Sequence, residues 1–198
     1  EYQGNKINVS KWEKLTLRDA ILKNLKEDID KIKTDEEARK IADKHGIDPD
    51  GITKINISDE LMKLFRHKLI QPTFLIDYPI ELVPLAKPGQ KDKTKAEIFQ
   101  PFIGGLEIAR AYSELSDPKL QEENFNEQES EREKGNAEAM PTDRDFVTAL
   151  EYGLPPACGV GIGIERLVML MTNSTSIRDV ILFPFMKPEE LKESENKV

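Results

Sequence analysis

From Cys158 to Ile164 apolar residues alternate with glycines, so that Val160, Ile162 and Ile164 fall between Gly159, Gly161 and Gly163. A period of two marks a strand, here with one apolar face and one face without side chains, and something flat is expected to lie against the bare side. After Ile164 the period turns helical, with Leu167, Leu170 and Met171 as a stripe, which places Glu165 and Arg166 where strand hands over to helix.

The same patterning predicts the remaining elements. Tyr2 to Val9 reads as two short strand pieces around a Gly4-Asn5 turn. Thr16 to Asp19 opens a helix through Ala20, Ile21 and Leu25, and Asp35 to Lys44 forms a second, stopped by Gly46. Ser58 is expected to cap a third, with Leu61, Leu64, Phe65 and Leu69 facing inward. Pro72 to Asp77 is rich in β-formers, and Lys87 to Lys95 is a polar loop. Glu97 to Ile103 and Leu106 to Glu114 read as strands meeting at Gly104-Gly105. Asp117-Pro118 starts a charged helix running to about Lys134, and Thr142 to Asp145 caps another through Phe146, Leu150 and Tyr152. Hairpin-linked strands with helices set aside predict an α+β fold on an antiparallel sheet flanked by helices.

Composition narrows the picture. At 198 residues with 38% hydrophobic and 33% charged positions, one domain with a busy surface is expected. No apolar run reaches the length of a membrane span and the N-terminus has no targeting character, which predicts a cytoplasmic protein without membrane contact. Cys158 is the only cysteine and there are two histidines, so neither an intrachain disulfide nor a zinc cluster can be assembled. Cys158 is read as a packing residue. A net charge of −8 argues against a general polyanion binder, so any contact with nucleic acid must be local.

Arg166 at a helix N-terminus adds a fixed cation to a place that already favours phosphate. A flat, anionic ligand suits the bare strand; the other reading of three spaced glycines is a bulge or close packing. The dinucleotide fingerprint and the P-loop are both excluded, because neither the further Gly nor a Lys-Ser/Thr pair follows.

The stretch G-I-G-I-E-R-L-V-M-L-M-T-N-S-T-S-I-R-D-V-I-L-F-P resembles the third signature motif of class II aminoacyl-tRNA synthetases. Within that class T-N-S, I-L-F-P and the following M-K-P are similar to the lysyl family, as are His67 to Pro79 and Leu106 to Pro118. The resemblance covers nearly the whole chain. It implies residues 1–198 as the C-terminal portion of a catalytic domain, with a helical insertion at 16–70, and with the first two motifs and the anticodon-binding barrel absent from this stretch, which would leave it inactive alone.

It further implies lysine, ATP and the acceptor end of tRNA(Lys) as substrates, Mg2+ as metal and a homodimer. Residue by residue, it assigns Glu107 to magnesium and ATP, and Ile108, Gly163, Ile164, Glu165 and Arg166 to ATP, with Arg166 as the catalytic arginine. Glu114 receives the lysine ammonium, beside Gly159 and Gly161. Glu107 and Glu114 stand an odd number of residues apart, so a shared pocket requires a bulge between them.

The chain departs from the family pattern twice. Gln100 stands where a second metal carboxylate is common, and Arg110 where an asparagine holds the lysine. Arg110 is expected either to neutralise phosphate or to turn outward to the acidic helix. Three functional readings stay open: a lysine–tRNA ligase, a synthetase paralogue acting on a protein or free amino acid, and a non-catalytic synthetase-like module.

Overall fold

The computed structural model describes residues 1–185, so Met186-Lys187-Pro188, part of the resemblance, lies outside the described residues. Six strands form one sheet: β1 (Glu13–Thr16), β2 (Thr73–Ile76), β3 (Ile98–Ile103), β4 (Leu106–Glu107), β5 (Ala109–Ser113) and β6 (Cys158–Ile162). Their order is β1-β2-β3-β5-β6, with β4 continuing the pairing along β3. Every pairing is antiparallel except β1 with β2, so the sheet is mixed rather than purely antiparallel. Parallel neighbours need a long crossover, which three helices supply here: α1 (Leu17–Leu25), α2 (Asp35–Lys44) and α3 (Ile57–Phe65).

Those helices cover one face of the sheet. Leu17, Ile21, Leu61 and Phe65 are buried against Leu75, Ile98 and Phe102 in one core cluster. Thr16 caps α1 by accepting from the Asp19 amide at 3.0 Å, and Thr34 and Glu37 form a reciprocal capping box on α2. The expected cap of α3 is corrected. Ser58 lies inside the helix, and its buried hydroxyl has no partner among the described residues. The cap position belongs to Asn56, whose side chain instead accepts from the Thr53 amide at 2.8 Å and closes the preceding turn. Leu64 is also turned to the surface, while Leu61 and Phe65 carry the packing.

After β5 come α4 (Pro118–Glu133), α5 (Arg144–Glu151), β6 and α6 (Ile164–Thr172). Asp117 caps α4 as expected, whereas α5 is capped by Asp143, because the Thr142 hydroxyl is spent on Glu129 at 2.7 Å. Tyr152 follows α5 fully exposed. In α6 the residue driven into the interior is Met169, and Met171 is exposed, which shifts the stripe from the one expected. The N-terminal segment is a single tight turn with Gln3 and Gly4 at positive φ, closed by paired Tyr2–Asn5 bonds of 2.9 Å, rather than two strands. It docks on the end of α6, where the Tyr2 hydroxyl donates to the Ser174 carbonyl oxygen at 3.1 Å. No helix among the described residues is long and apolar enough to cross a membrane.

Candidate functional site

The site is built on β3, β4, β5, β6 and the start of α6. Along β3, Phe102 faces Glu107 and Phe99 faces Ala111, so three steps on one strand are answered by four on the other. The extra residue is a bulge at Ile108, whose amide donates to the Pro101 carbonyl oxygen at 2.8 Å. Phe102, on the helix-covered face, is opposite Glu107; Tyr112 is opposite Ile98 on that same face, and Arg110 shares it by alternation. The bulge therefore swings Glu107 onto the face that holds Arg110 and Tyr112.

Across the next pairing, Arg110 is opposite Gly161 and Tyr112 opposite Gly159, so the bare side of β6 looks the same way. At Gly161 a side-chain carbon would meet nothing nearer than 4.0 Å. At Gly159 it would stand 2.5 Å from Oε1 of Glu114, which places that carboxylate on the same face, over the end of β6. The irregularity expected between Glu107 and Glu114 is thus present, and both carboxylates face one way. Val160 and Ile162 point to the opposite face, where Trp12 stacks on Phe74 and Phe74 meets Phe99 edge-on. Cys158 is exposed on that side rather than packed. A concavity of about 1140 Å3 lies there over Phe74, Ile76, Phe99 and Val160, away from the acidic and basic groups that converge on the glycine face.

Gly163 ends the strand and takes the N-cap position of α6; its amide donates to the Ile108 carbonyl oxygen at 2.9 Å. Ile164 and Glu165 follow in the exposed first turn. Arg166 does not swing away into solvent. Its stem lies against Gly163, 3.4 Å from where a side-chain carbon would be, and Nη1 donates to the Glu107 carbonyl oxygen at 2.8 Å. An exposed guanidinium, a helix start without a side-chain cap and open space beside Gly161 meet here, donors and a shape that suit a planar anion.

Beside this floor a cavity of about 460 Å3 is lined by Gln100, Glu107, Arg110 and Tyr112, with Tyr78 and Met62 at its base. Gln100 is fully buried. With its amide oxygen toward Arg110, it accepts from Nε and Nη2, each at 2.5 Å, and its amide nitrogen donates to the Tyr78 hydroxyl. That hydroxyl also lies 3.4 Å from the Met62 sulfur. Burial pushes the Tyr78 hydroxyl well above its usual pKa, and the nearby Glu107 carboxylate adds to the rise while Arg110 opposes it. Arg110 Nε is 3.6 Å from Glu107 Oε1. The outward alternative for Arg110 is therefore corrected: its contacts are Gln100 and Glu107, not the acids of α4.

These contacts also bear on Gln100 as the doubtful second metal ligand beside Glu107. A hard divalent cation seeks oxygen ligands with free lone pairs, whereas the one oxygen of Gln100 is turned to a guanidinium and the other buried atom is a donor. Glu107 keeps an anionic oxygen for such an ion, with a fixed positive charge close by, and Asp59, Glu81 and Glu138 also line the cavity. Sequence reasoning gave Tyr78 and Tyr112 no role, although both shape the cavity. The signal for Tyr78 was its place just before Pro79 at the end of a β-rich run, where a side chain leaves the ladder and turns inward.

A model of the family described as tRNA synthetases class II (D, K and N) matches residues 3–187. The chain is 45% identical over 195 residues to a lysine–tRNA ligase of Clostridium perfringens (strain 13), covering 96% of this chain and 39% of that protein. It is 47% identical over 194 residues to a lysine–tRNA ligase of Thermoanaerobacter pseudethanolicus, covering 95% and 38% respectively. A third lysine–tRNA ligase, of Pelotomaculum thermopropionicum, is 46% identical over 195 residues, with 96% and 38% covered. The chain thus spans under two fifths of the length of these curated relatives. With the family matched from residue 3 to residue 187 and its strand-to-helix arginine seated over a glycine floor, this chain belongs to the class II tRNA synthetases of the D, K and N group.

Proposed function

We infer that this chain is the C-terminal part of the catalytic domain of a lysine–tRNA ligase, with residues 16–70 as a helical insertion. The observation that carries the reading is the bulge at Ile108, which turns Glu107 to the face occupied by Arg110, Glu114 and the open side of β6. The names of the relatives support lysine and tRNA as substrates, and the reading adds ATP and the acceptor end of tRNA(Lys). The complete protein is read as a cytoplasmic homodimer.

In the first step the lysine carboxylate oxygen bonds to the α-phosphorus of ATP while the bond to the bridging oxygen breaks, giving lysyl-adenylate and pyrophosphate. The carboxylate is already ionised near neutral pH, so the step asks for positioning and charge neutralisation rather than a general base. Gly161 and Gly163 give the nucleotide room, Ile108, Ile164 and Glu165 flank it, and Arg166 lies against the ring and near the phosphates, where a planar guanidinium stacks and pairs at once. Glu114 receives the lysine ammonium over Gly159, since a charge taken from water needs a charged, hydrogen-bonding partner. Glu107 is the residue that would hold Mg2+, which when bound would supply neutralisation of phosphate charge. In the second step a terminal ribose hydroxyl oxygen of tRNA bonds to the lysyl carbonyl carbon while the bond from that carbon to the adenylate oxygen breaks, and AMP leaves as the hydroxyl proton passes to its phosphate or to water.

The test is amino-acid-dependent ATP–pyrophosphate exchange by the complete protein. Exchange is expected with lysine, and Glu114→Gln should raise the lysine KM about tenfold or more, since a charged hydrogen bond is worth about 1.5–3 kcal/mol, with the ATP KM little changed. Exchange driven by another amino acid, or a Glu114→Gln variant with unchanged lysine KM, overturns the reading.

A further inference from the structure

We propose that Arg110, held in place by Gln100, is a nucleotide-phosphate-binding residue, and that it stands where a second protein-held divalent ion would otherwise be needed. The inference rests on the nucleotide-binding part of the reading above. Three observations meet. The Gln100 side chain is fully buried between Tyr78 and Arg110, with its oxygen accepting from Nε and Nη2 of the guanidinium. Glu107 Oε1 approaches Nε from the β4 side at 3.6 Å. Neither contact uses Nη1, nearly half of the side chain stays exposed, and Arg110 lines the cavity beside the glycine floor.

A side chain held at Nε and Nη2 and partly exposed is preorganised to receive an anion without reordering. The same arrangement is unfit for a cluster of divalent ions. Such a cluster wants several carboxylates free to coordinate, whereas at Arg110 the immediate contacts are one carboxylate and one neutral amide whose oxygen is already occupied by the guanidinium; Asp59, Glu81 and Glu138 line the same cavity but form no ion pair with Arg110. Gln100 acts as a positioning residue, and Tyr78 fixes its amide in turn.

The test is binding of a non-hydrolysable ATP analogue to the complete protein, without lysine or tRNA, combined with counting of bound Mn2+ by electron paramagnetic resonance. The expected result is no more than one Mn2+ per bound nucleotide in the unaltered protein. Arg110→Gln should weaken nucleotide binding tenfold or more. Gln100→Leu should weaken it to a lesser degree, and Gln100→Glu, which still holds the guanidinium, should restore it; a purely structural role for Gln100 would not give that rescue. Arg110→Lys, which keeps the charge and removes the fork, guards against a folding defect, with the thermal midpoint followed in every variant. Two or more Mn2+ per nucleotide in the unaltered protein, or an Arg110→Gln variant binding within twofold of it, overturns the proposal. Failure of lysine activation leaves this readout intact, so the two inferences fall separately.

Discussion

Nη1 of Arg166 donates to the backbone carbonyl oxygen of Glu107 at 2.8 Å, tying the first turn of α6 to β4 across 59 positions of sequence. A side chain of this length loses on the order of 2 kcal/mol of rotamer entropy when it is ordered. Here that ordering is already made before any ligand arrives, by one bond to a carbonyl and by contact with the Gly163 backbone.

Arg166→Ala removes both the anchor and the cation. We expect lysine-dependent ATP–pyrophosphate exchange to fall at least a hundredfold, while the thermal unfolding free energy changes by only about 1 kcal/mol, the net worth of one exposed hydrogen bond. Arg166→Lys should remain close to the Ala variant in exchange, because an ammonium neither stacks nor forks. Parallel exchange assays and thermal melts check this.

Gly161→Val addresses the floor alone. No atom lies nearer than 4.0 Å to a new side-chain carbon, and a β-branched residue suits a strand, so the fold should be kept or slightly stabilised. The isopropyl group would fill the space above β6, and nucleotide affinity should drop at least tenfold. Calorimetric titration with ATP, beside a thermal melt, separates the two effects.

Ser58 and Asn56 distinguish what the sequence predicted from what the fold does. Were Ser58 a helix cap, Ser58→Ala would cost about 1 kcal/mol. Because its hydroxyl is buried without a partner among the described residues, the substitution is expected to be neutral or stabilising by up to about 1 kcal/mol. Asn56→Ala, which leaves the Thr53 amide unpaired and also loses the bond to the Gly51 carbonyl oxygen, should destabilise by about 1–3 kcal/mol. Urea unfolding of the two variants reads out the difference.

That pair also shows where sequence reading reached its limit. Helix existence and the glycine strand were legible, because periodicity records which faces are buried. A bulge between Glu107 and Glu114 was legible too, since two carboxylates an odd distance apart cannot share a face on a regular strand, but its place at Ile108 was not. Cap identity was not, because Ser58 and Asn56 are both good caps and only the turn at Thr53 decides between them. The parallel β1–β2 pairing was missed for a similar reason: nothing local to Glu13–Thr16 reveals that its partner lies beyond three helices. Arg110 was left between two orientations until the buried Gln100 amide fixed one of them.

Two ionisations give the fold a defined pH window. Arg18, bonded through Nε and Nη2 at 2.7 Å, holds the Asp28 carboxyl down to about 2 from its ordinary 3.8. A depressed carboxyl contributes stability above its unfolded pKa and loses it as pH falls, so this contribution should fade from about pH 4 to about pH 2. Tyr78 works in the other direction: its pKa is raised by burial, so its contribution is complete below about pH 10 and declines above it. Thermal midpoints should fall less steeply in Asp28→Asn on the acid side and in Tyr78→Phe on the alkaline side than in the unaltered protein.

The most direct test of the central claim is a titration of the complete protein with ATP in the presence of Mg2+, compared with Arg166→Ala under the same conditions. The glycine floor with its anchored arginine predicts saturable one-site binding in the unaltered protein and affinity at least a hundredfold weaker in the variant, with both chains folded. Equal affinity in the two proteins, or no binding in either, would contradict it.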